Sequence, residues 1–176
     1  MKKIILSGLF ALSSIVTFAQ TIADARNMGI GQTVTVRGIA ANGSELGNIR
    51  YLQDGTAAIP AFGSNLSSVQ RGDSITATGV LFDFSGLLEI SPTNSFINHG
   101  AVGAPTPMLV PLSSINESIE ARLVRVDNVT FTTSGSFVTG NSTVQITDGT
   151  TTLDVRINGS TNIDGTAIPS GPVSIV

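Results

Sequence analysis

The chain of 176 residues has no cysteine and no tryptophan, and it has only one histidine and one tyrosine. Without cysteine it forms no disulfide bond and offers no thiolate metal ligand and no thiol nucleophile. The histidine, His99, lies among glycine and asparagine at the start of a predicted linker, whereas a catalytic triad needs an imidazole held by packing and by a carboxylate. We therefore predict no enzymatic activity, no metal site and no cofactor.

Positive charge is also scarce. Both lysines, Lys2 and Lys3, belong to the N-terminal segment, and the rest of the chain keeps 7 arginines against 12 acidic residues, a net charge of −5. Proteins that bind nucleic acid without regard to its sequence rely on lysine and arginine to displace the counterions of the phosphates. The charge therefore disfavours nucleic acid as a partner, and we expect a polysaccharide or a protein instead.

Residues 1–19 have the pattern of a Sec-type signal peptide. Lys2 and Lys3 give it a positive start, residues 4–18 are mostly apolar, and Ala19 is a small residue just before the predicted cleavage ahead of Gln20. An apolar run of ~15 residues is shorter than the ~20 that span a bilayer, and no later stretch is apolar enough to do so. We predict a secreted protein of the periplasm, the cell surface or the medium.

Residues 20–99 predict a five-stranded barrel. Strand-like runs alternate with turn residues and cover residues 34–39, 49–53, 58–62, 74–78 and 87–90. Asp54 and Gly55, between the second and third runs, indicate a hairpin whose glycine adopts a positive φ. Gly38 inside the first strand predicts a bulge or a sharp bend, and Gly79 is expected to interrupt the fourth strand before residues 80–84.

A short helix is predicted ahead of the first strand. Thr21 is placed to cap it, with Asp24 as the reciprocal partner three residues later. Ile22, Ala25 and Met28 would share one face and could plug an end of the barrel. A similar helical segment is predicted over residues 112–119.

The second half of the chain repeats the first. The pair Asp54-Gly55 recurs as Asp148-Gly149, with further strand-like runs at residues 123–131, 144–147, 153–157 and 173–176. Neither aspartate sits among the alternating oxygen ligands of a calcium loop. The predicted organisation is a signal peptide (1–19), a first barrel (20–99), a proline- and glycine-rich linker (100–111) and a second, incomplete barrel (112–176). Since the last strand of the second barrel is missing, we expect a fragment, or a closing strand supplied by another segment.

Four segments carry a resemblance to a known family: Val-Thr-Val-Arg-Gly at 34–38, Tyr-Leu-Gln-Asp-Gly at 51–55, Gly-Asp-Ser-Ile-Thr-Ala-Thr-Gly at 72–79 and Gly-Leu-Leu-Glu-Ile at 86–90. In this order they resemble the OB-fold-like modules of secreted Bacteroidota proteins, and residues 123–126 and 146–149 are similar to the companion module. Such modules lie beside extracellular nucleases or at the start of surface proteins. The resemblance implies a non-catalytic binding or spacer module, with an accessory module that binds single-stranded nucleic acid as the alternative.

An OB barrel commonly binds its ligand on the outer face of strands two and three. Candidate ligand-binding residues there are Arg37, Arg50, Tyr51, Phe62, Phe82 and Phe84. Side chains alternate along a strand, so Arg50 and Tyr51 cannot both point outward. We place Tyr51 in the core or at the barrel end, which leaves Arg50 to point outward, and we place Phe82 and Phe84 on a partly buried segment.

Overall fold

The computed structural model describes residues 19–176. Strands make up 46% of the described residues and helices 12%, so this part of the chain is mostly β, as predicted. The predicted signal peptide lies outside the described residues except for Ala19. Within the described part of the chain, no helix is long and apolar enough to cross a membrane.

Five strands of the first unit form a closed barrel in the order β1-β2-β3-β5-β4. They are β1 (Thr33–Ala40), β2 (Ile49–Gln53), β3 (Ala58–Phe62), β4 (Asp73–Phe84) and β5 (Leu87–Ala101), preceded by the helix α1 (Ile22–Arg26). Strands β3 and β5 are parallel and the other neighbours antiparallel. The prediction of a first, five-stranded barrel is confirmed.

Alternate residues of the five strands fill the barrel with aliphatic side chains. The largest fully buried ones are Val34, Val36, Leu52, Ile59, Ile75, Leu81 and Ile90. Leu66, in the 3₁₀ turn Ser64–Ser68 between β3 and β4, also belongs to this core. Burial of this apolar surface is the main source of stability in a chain without disulfide bonds.

Helix α1 closes one end of the barrel as predicted, with Ile22 and Ala25 fully buried. The hydroxyl of Thr21 caps it by accepting a hydrogen bond of 3.1 Å from the backbone N–H of Asp24. The inward placement of Met28 is wrong, because the helix ends two residues earlier and leaves Met28 45% exposed.

The bulge predicted at Gly38 lies at Gly79 instead. Strands β1 and β4 pair without a shift through Gly38, where an added Cβ would lie 3.0 Å from the backbone nitrogen of Gln53. Gly38 therefore permits a close approach of β2. At Gly79 the register against β5 shifts on both sides, and a Cβ would lie 2.4 Å from the carbonyl oxygen of Pro92. Strand β4 thus bends at Gly79 but continues to Phe84 rather than ending there.

Strand β5 is longer than the sequence pattern indicates, since it runs on to Ala101 along the first half of β4. The expectation that His99 starts a linker is therefore wrong. His99 lies on β5, exposed, with its Nε2 2.9 Å from the hydroxyl of Thr76 on β4.

The second unit is an open sheet in the order β10-β7-β8-β9, with the short strand β6 parallel to β7. Its strands are β6 (Met108–Leu109), β7 (Val124–Phe131), β8 (Ser142–Thr147), β9 (Thr152–Ile157) and β10 (Val173–Ile175). This order matches β4-β1-β2-β3 of the barrel. Among the described residues no strand joins β9 to β10, so a second barrel stays a prediction. The predicted helix over 112–119 is two 3₁₀ turns, Leu112–Ser114 and Glu117–Ile119.

The two Asp-Gly turns occupy equivalent hairpins, β2–β3 and β8–β9. Asp54 accepts hydrogen bonds from the backbone N–H groups two and three residues on, at 2.7 and 2.9 Å, and Asp148 accepts the same pair at 2.9 and 2.8 Å. Gly149 has a φ of 93°, whereas Gly55 lies outside the positive-φ region. The predicted need for a positive φ therefore applies to the second hairpin only.

The second unit rests on the tip of the first hairpin. Arg26 and Glu120 form an ion pair of 2.6 Å, and the backbone N–H of Leu123 donates to the side-chain oxygen of Gln53 at 2.9 Å. Arg122 donates to the carbonyl oxygen of Thr56. The segment that enters β7 is thus held against the barrel.

Candidate functional site

A groove of about 490 Å³ crosses the outer face of the barrel where β2, β3, β5 and β4 lie side by side. Four of the six predicted ligand-binding residues meet there, Tyr51, Phe62, Phe82 and Phe84, together with Glu89. We call these five residues and the apolar side chains between them the aromatic groove. Its volume is within the usual range of small-ligand sites.

Strand pairing explains why these residues meet. Phe62 lies opposite Ile49 on the adjacent strand, and Phe82 lies opposite Glu89, so each pair shares the outer face of the barrel. Beyond the bend at Gly79, β4 and β5 run on as a hairpin. Its turn has two successive residues with positive φ, the arrangement of a type I′ turn, and it holds Phe84 at the edge of the groove.

The phenylalanines of the groove are largely exposed to solvent. Phe62 is 44% exposed, Phe82 46% and Phe84 61%. The β4–β5 segment is partly buried as expected, since Leu81 and Ile90 are buried, but Phe82 and Phe84 lie on its exposed side. The three rings thus line the groove from the solvent side and are not part of the barrel core.

Glu89 lies at the base of the aromatic groove and is 5% exposed. Burial raises the pKa of its carboxyl group above the ordinary value, and a hydrogen bond with the hydroxyl of Ser91 offsets this only in part. Of the residues that the structure describes in the groove lining, Glu89 is the only charged one. The sequence analysis missed it, although an acidic residue between Leu88 and Ile90 in a closing strand is an available signal.

Tyr51 faces outward and is half-buried, which reverses the placement expected from alternation. Burial raises the pKa of its hydroxyl group, and the charges of Glu89 and Glu120 raise it further. The side chain also lines a small depression with Arg122, next to the segment that enters β7. Because the chain has one tyrosine and no tryptophan, its tyrosine fluorescence comes from Tyr51 alone.

The two predicted arginines lie elsewhere. Arg50 was expected to point outward, but it is fully buried and donates hydrogen bonds to the carbonyl oxygens of Gly47, Ile49 and Val69 at 2.8, 2.8 and 3.0 Å. Because these carbonyl oxygens accept hydrogen bonds from the guanidinium group, the charged side chain of Arg50 can lie in the interior. Arg37 is exposed on β1 and donates to the hydroxyl of Ser74 at 3.1 Å, beside a separate shallow depression. The aromatic rings and the predicted cations are therefore not brought together.

No protein-family model matches the chain, and neither the curated proteins nor the solved structures gave a match. Within residues 19–176, no three histidine, cysteine or acidic side chains cluster in a way that could hold a metal ion. The chemistry of the candidate site is therefore inferred from the groove lining. The lining consists of aromatic and aliphatic side chains and the largely buried carboxylate of Glu89.

Replacing Glu89 by glutamine is expected to raise the thermal midpoint by a few degrees at neutral pH. Because burial raises the pKa of Glu89 in the folded state, the ionised carboxyl group lowers the stability at every pH above that pKa. The advantage of Glu89→Gln should shrink as the pH falls and vanish below the ordinary pKa of glutamate, about 4.3. Calorimetric melts of both proteins across this range measure the effect. A variant less stable than the parent at neutral pH would contradict it.

Proposed function

We propose that this chain is an exported, non-catalytic binding module that holds its ligand in the aromatic groove. The observation that carries the proposal is the set of three exposed phenylalanine rings around a groove of ligand size. Leaving such rings in water is unfavourable by about 25 cal/mol for each Å² of apolar surface. A ligand that covers them recovers this free energy, which is the physical basis for binding here.

Among the expected ligands, an oligosaccharide fits the groove best. The C–H faces of a pyranose ring pack on aromatic rings, and sugar hydroxyl groups donate hydrogen bonds to a carboxylate such as Glu89. OB-type barrels bind both oligosaccharides and oligonucleotides on this face. A nucleic-acid phosphate would meet the negative charge of Glu89 with no arginine from the groove lining to pair with it.

Replacing Phe82 by alanine is expected to weaken oligosaccharide binding about two- to tenfold, since one ring contact contributes roughly 0.5–1.5 kcal/mol. The probes are tetrasaccharides of glucose, N-acetylglucosamine and glucosamine, titrated while the fluorescence of Tyr51 is followed. Ile97→Ala is the matched control. Ile97 is 60% exposed on the same sheet but does not line the groove, so this variant should bind like the parent.

The alternative, an accessory module for single-stranded nucleic acid, has a different signature. It requires a gel shift with single-stranded DNA that weakens steeply with salt and is lost in Arg37→Ala. Such a shift, together with failure of all three tetrasaccharides to bind, would overturn the proposed function in favour of this alternative.

A further inference from the structure

We infer that the ligand of the aromatic groove carries a protonated amino group, which pairs with Glu89. The inference rests on the proposed function and names its substrate class, an oligosaccharide of 2-amino-2-deoxy sugars. Three features of the groove support it: a buried carboxylate without a cationic partner, a ring of aromatic faces, and the absence of any competing cation in the described lining.

The buried carboxylate is the first feature. Glu89 is 5% exposed, so its carboxylate has little access to water, and a charge in such a place is stabilised by a counter-charge. In the described part of the chain the ion pairs are Arg26–Glu120 and Arg125–Asp127, and neither involves Glu89. The polar group that lowers its pKa is the neutral hydroxyl of Ser91. A ligand that brings a cation would supply the missing counter-charge.

The aromatic faces are the second feature. A ring carries partial negative charge on its two faces and attracts a cation within about 6 Å of its centre. Phe62, Phe82, Phe84 and Tyr51 line the groove around Glu89. An alkyl ammonium group is attracted electrostatically by both the rings and the carboxylate. A neutral hydroxyl group is attracted much less by either.

No cation lines the described groove; Arg122 lines the neighbouring depression with Tyr51 and donates to the carbonyl oxygen of Thr56. Tyr51 on β2 is the other titratable residue that lines the groove, and its raised pKa keeps its hydroxyl group protonated and neutral at pH 7. The charge of Glu120 also raises the pKa of Tyr51, but Glu120 is itself paired with Arg26. Strands β3 and β4 contribute only phenylalanines. The groove thus presents one uncompensated negative charge to a ligand.

An amino sugar combines the two chemistries that the groove offers. Its ring has the apolar C–H face that stacks on phenylalanine, and its amino group is protonated in mildly acidic solution. A neutral glucan would fill the same space but leave Glu89 without a counter-charge. A sulfated or phosphorylated glycan would add repulsion.

The three tetrasaccharides named above, all taken with the same glycosidic linkage, test the inference, because they then differ only in the group at carbon 2: ammonium, acetamide or hydroxyl. Just below neutral pH, the glucosamine tetrasaccharide is expected to bind at least about tenfold more tightly than the other two. In Glu89→Gln the preference should disappear, because affinity for the glucosamine tetrasaccharide falls much more than affinity for the acetylated one. The preference should also fall on acidification as Glu89 becomes protonated.

A charge control separates this contact from general attraction between a cationic sugar and an acidic protein. Asp154→Asn removes one negative charge on β9, away from the groove, and should keep the full preference. If Glu89→Gln and Asp154→Asn lose the preference for the glucosamine tetrasaccharide equally, the pairing of the amino group with Glu89 is overturned. It is also overturned if Glu89→Gln keeps that preference. Equal binding of all three tetrasaccharides overturns the amino-sugar assignment and leaves the proposed function standing. Failure of all three to bind overturns both.

Discussion

Replacing Arg50 by alanine is expected to lower the free energy of unfolding of the barrel by about 3–5 kcal/mol, the largest effect of any single change considered for this chain. The side chain is fully buried, and its guanidinium group donates to three backbone carbonyl groups from 2.8 to 3.0 Å away. Without it, the carbonyl oxygens of Gly47 and Val69 lose the side-chain donor they share, and a cavity remains. Ile49 is less affected, because its carbonyl oxygen also accepts a hydrogen bond from Asn42.

An opposing effect limits this loss. Burial lowers the pKa of Arg50, and the negative charge of Glu45 offsets this only in part, so the buried cation itself is unfavourable. One of its nitrogens, Nη2, is buried without a hydrogen-bond partner in the described structure. Arg50→Met removes the charge and keeps most of the volume, so its loss should be smaller, about 1–3 kcal/mol from the carbonyl groups alone.

Urea unfolding followed by the fluorescence of Tyr51 measures these changes, since the tyrosine belongs to β2. Arg37→Ala is the control: it removes an exposed arginine with one side-chain hydrogen bond, and should change stability by no more than about 0.5 kcal/mol. An Arg50→Ala protein as stable as Arg37→Ala would show that the buried hydrogen bonds contribute nothing net.

Replacing Asp54 by alanine is expected to destabilise the barrel by about 1–3 kcal/mol. Its carboxylate accepts hydrogen bonds from the N–H groups of Thr56 and Ala57 in the hairpin and, at 2.8 Å, from the N–H of Ile22 at the start of α1. One side chain therefore joins the hairpin to the helix that closes the barrel. Asp148→Ala provides the internal comparison, because Asp148 makes the hairpin contacts without a helix contact and is exposed. Its effect should be smaller and confined to the open sheet.

The same contact makes the barrel sensitive to acid. Burial opposes ionisation of Asp54, but the hydrogen bonds from Ile22, Thr56 and Ala57 outweigh it and hold the pKa below its ordinary value. Its contribution to stability is thus present above the ordinary pKa of aspartate and is lost as the pH falls through the lowered one. Urea midpoints of the parent and Asp54→Ala should converge over that range. A constant difference down to the lowest pH would contradict this account.

Local sequence patterns were sufficient for most of the barrel. The second and third strands have the predicted bounds, 49–53 and 58–62, because turn residues mark each end. The pattern failed for residues 91–101, a polar run with no clear alternation. These residues form a strand because β4 provides a pairing partner along its whole length. That pairing is a tertiary effect that no window of residues contains.

The candidate site shows a second limit of sequence reasoning. Alternation states correctly that Arg50 and Tyr51 lie on opposite faces of β2, but it does not state which face is inside. Hydrophobicity favours tyrosine for the interior over arginine. The structure has the opposite arrangement, because backbone carbonyl groups at the barrel end accept hydrogen bonds from the guanidinium. Such acceptors come together only once the chain has folded.

The bend at Gly79 has a consequence for how such a module could diversify. The position of the hairpin over the groove is set by backbone atoms, since even a methyl group at Gly79 would collide with the carbonyl oxygen of Pro92. The side chains that line the aromatic groove, Phe62 and Phe84 among them, are exposed and take no part in the buried core. The residues that fix the position of the hairpin therefore differ from those that line the groove. Substitutions in the lining can change the groove surface without changing the barrel.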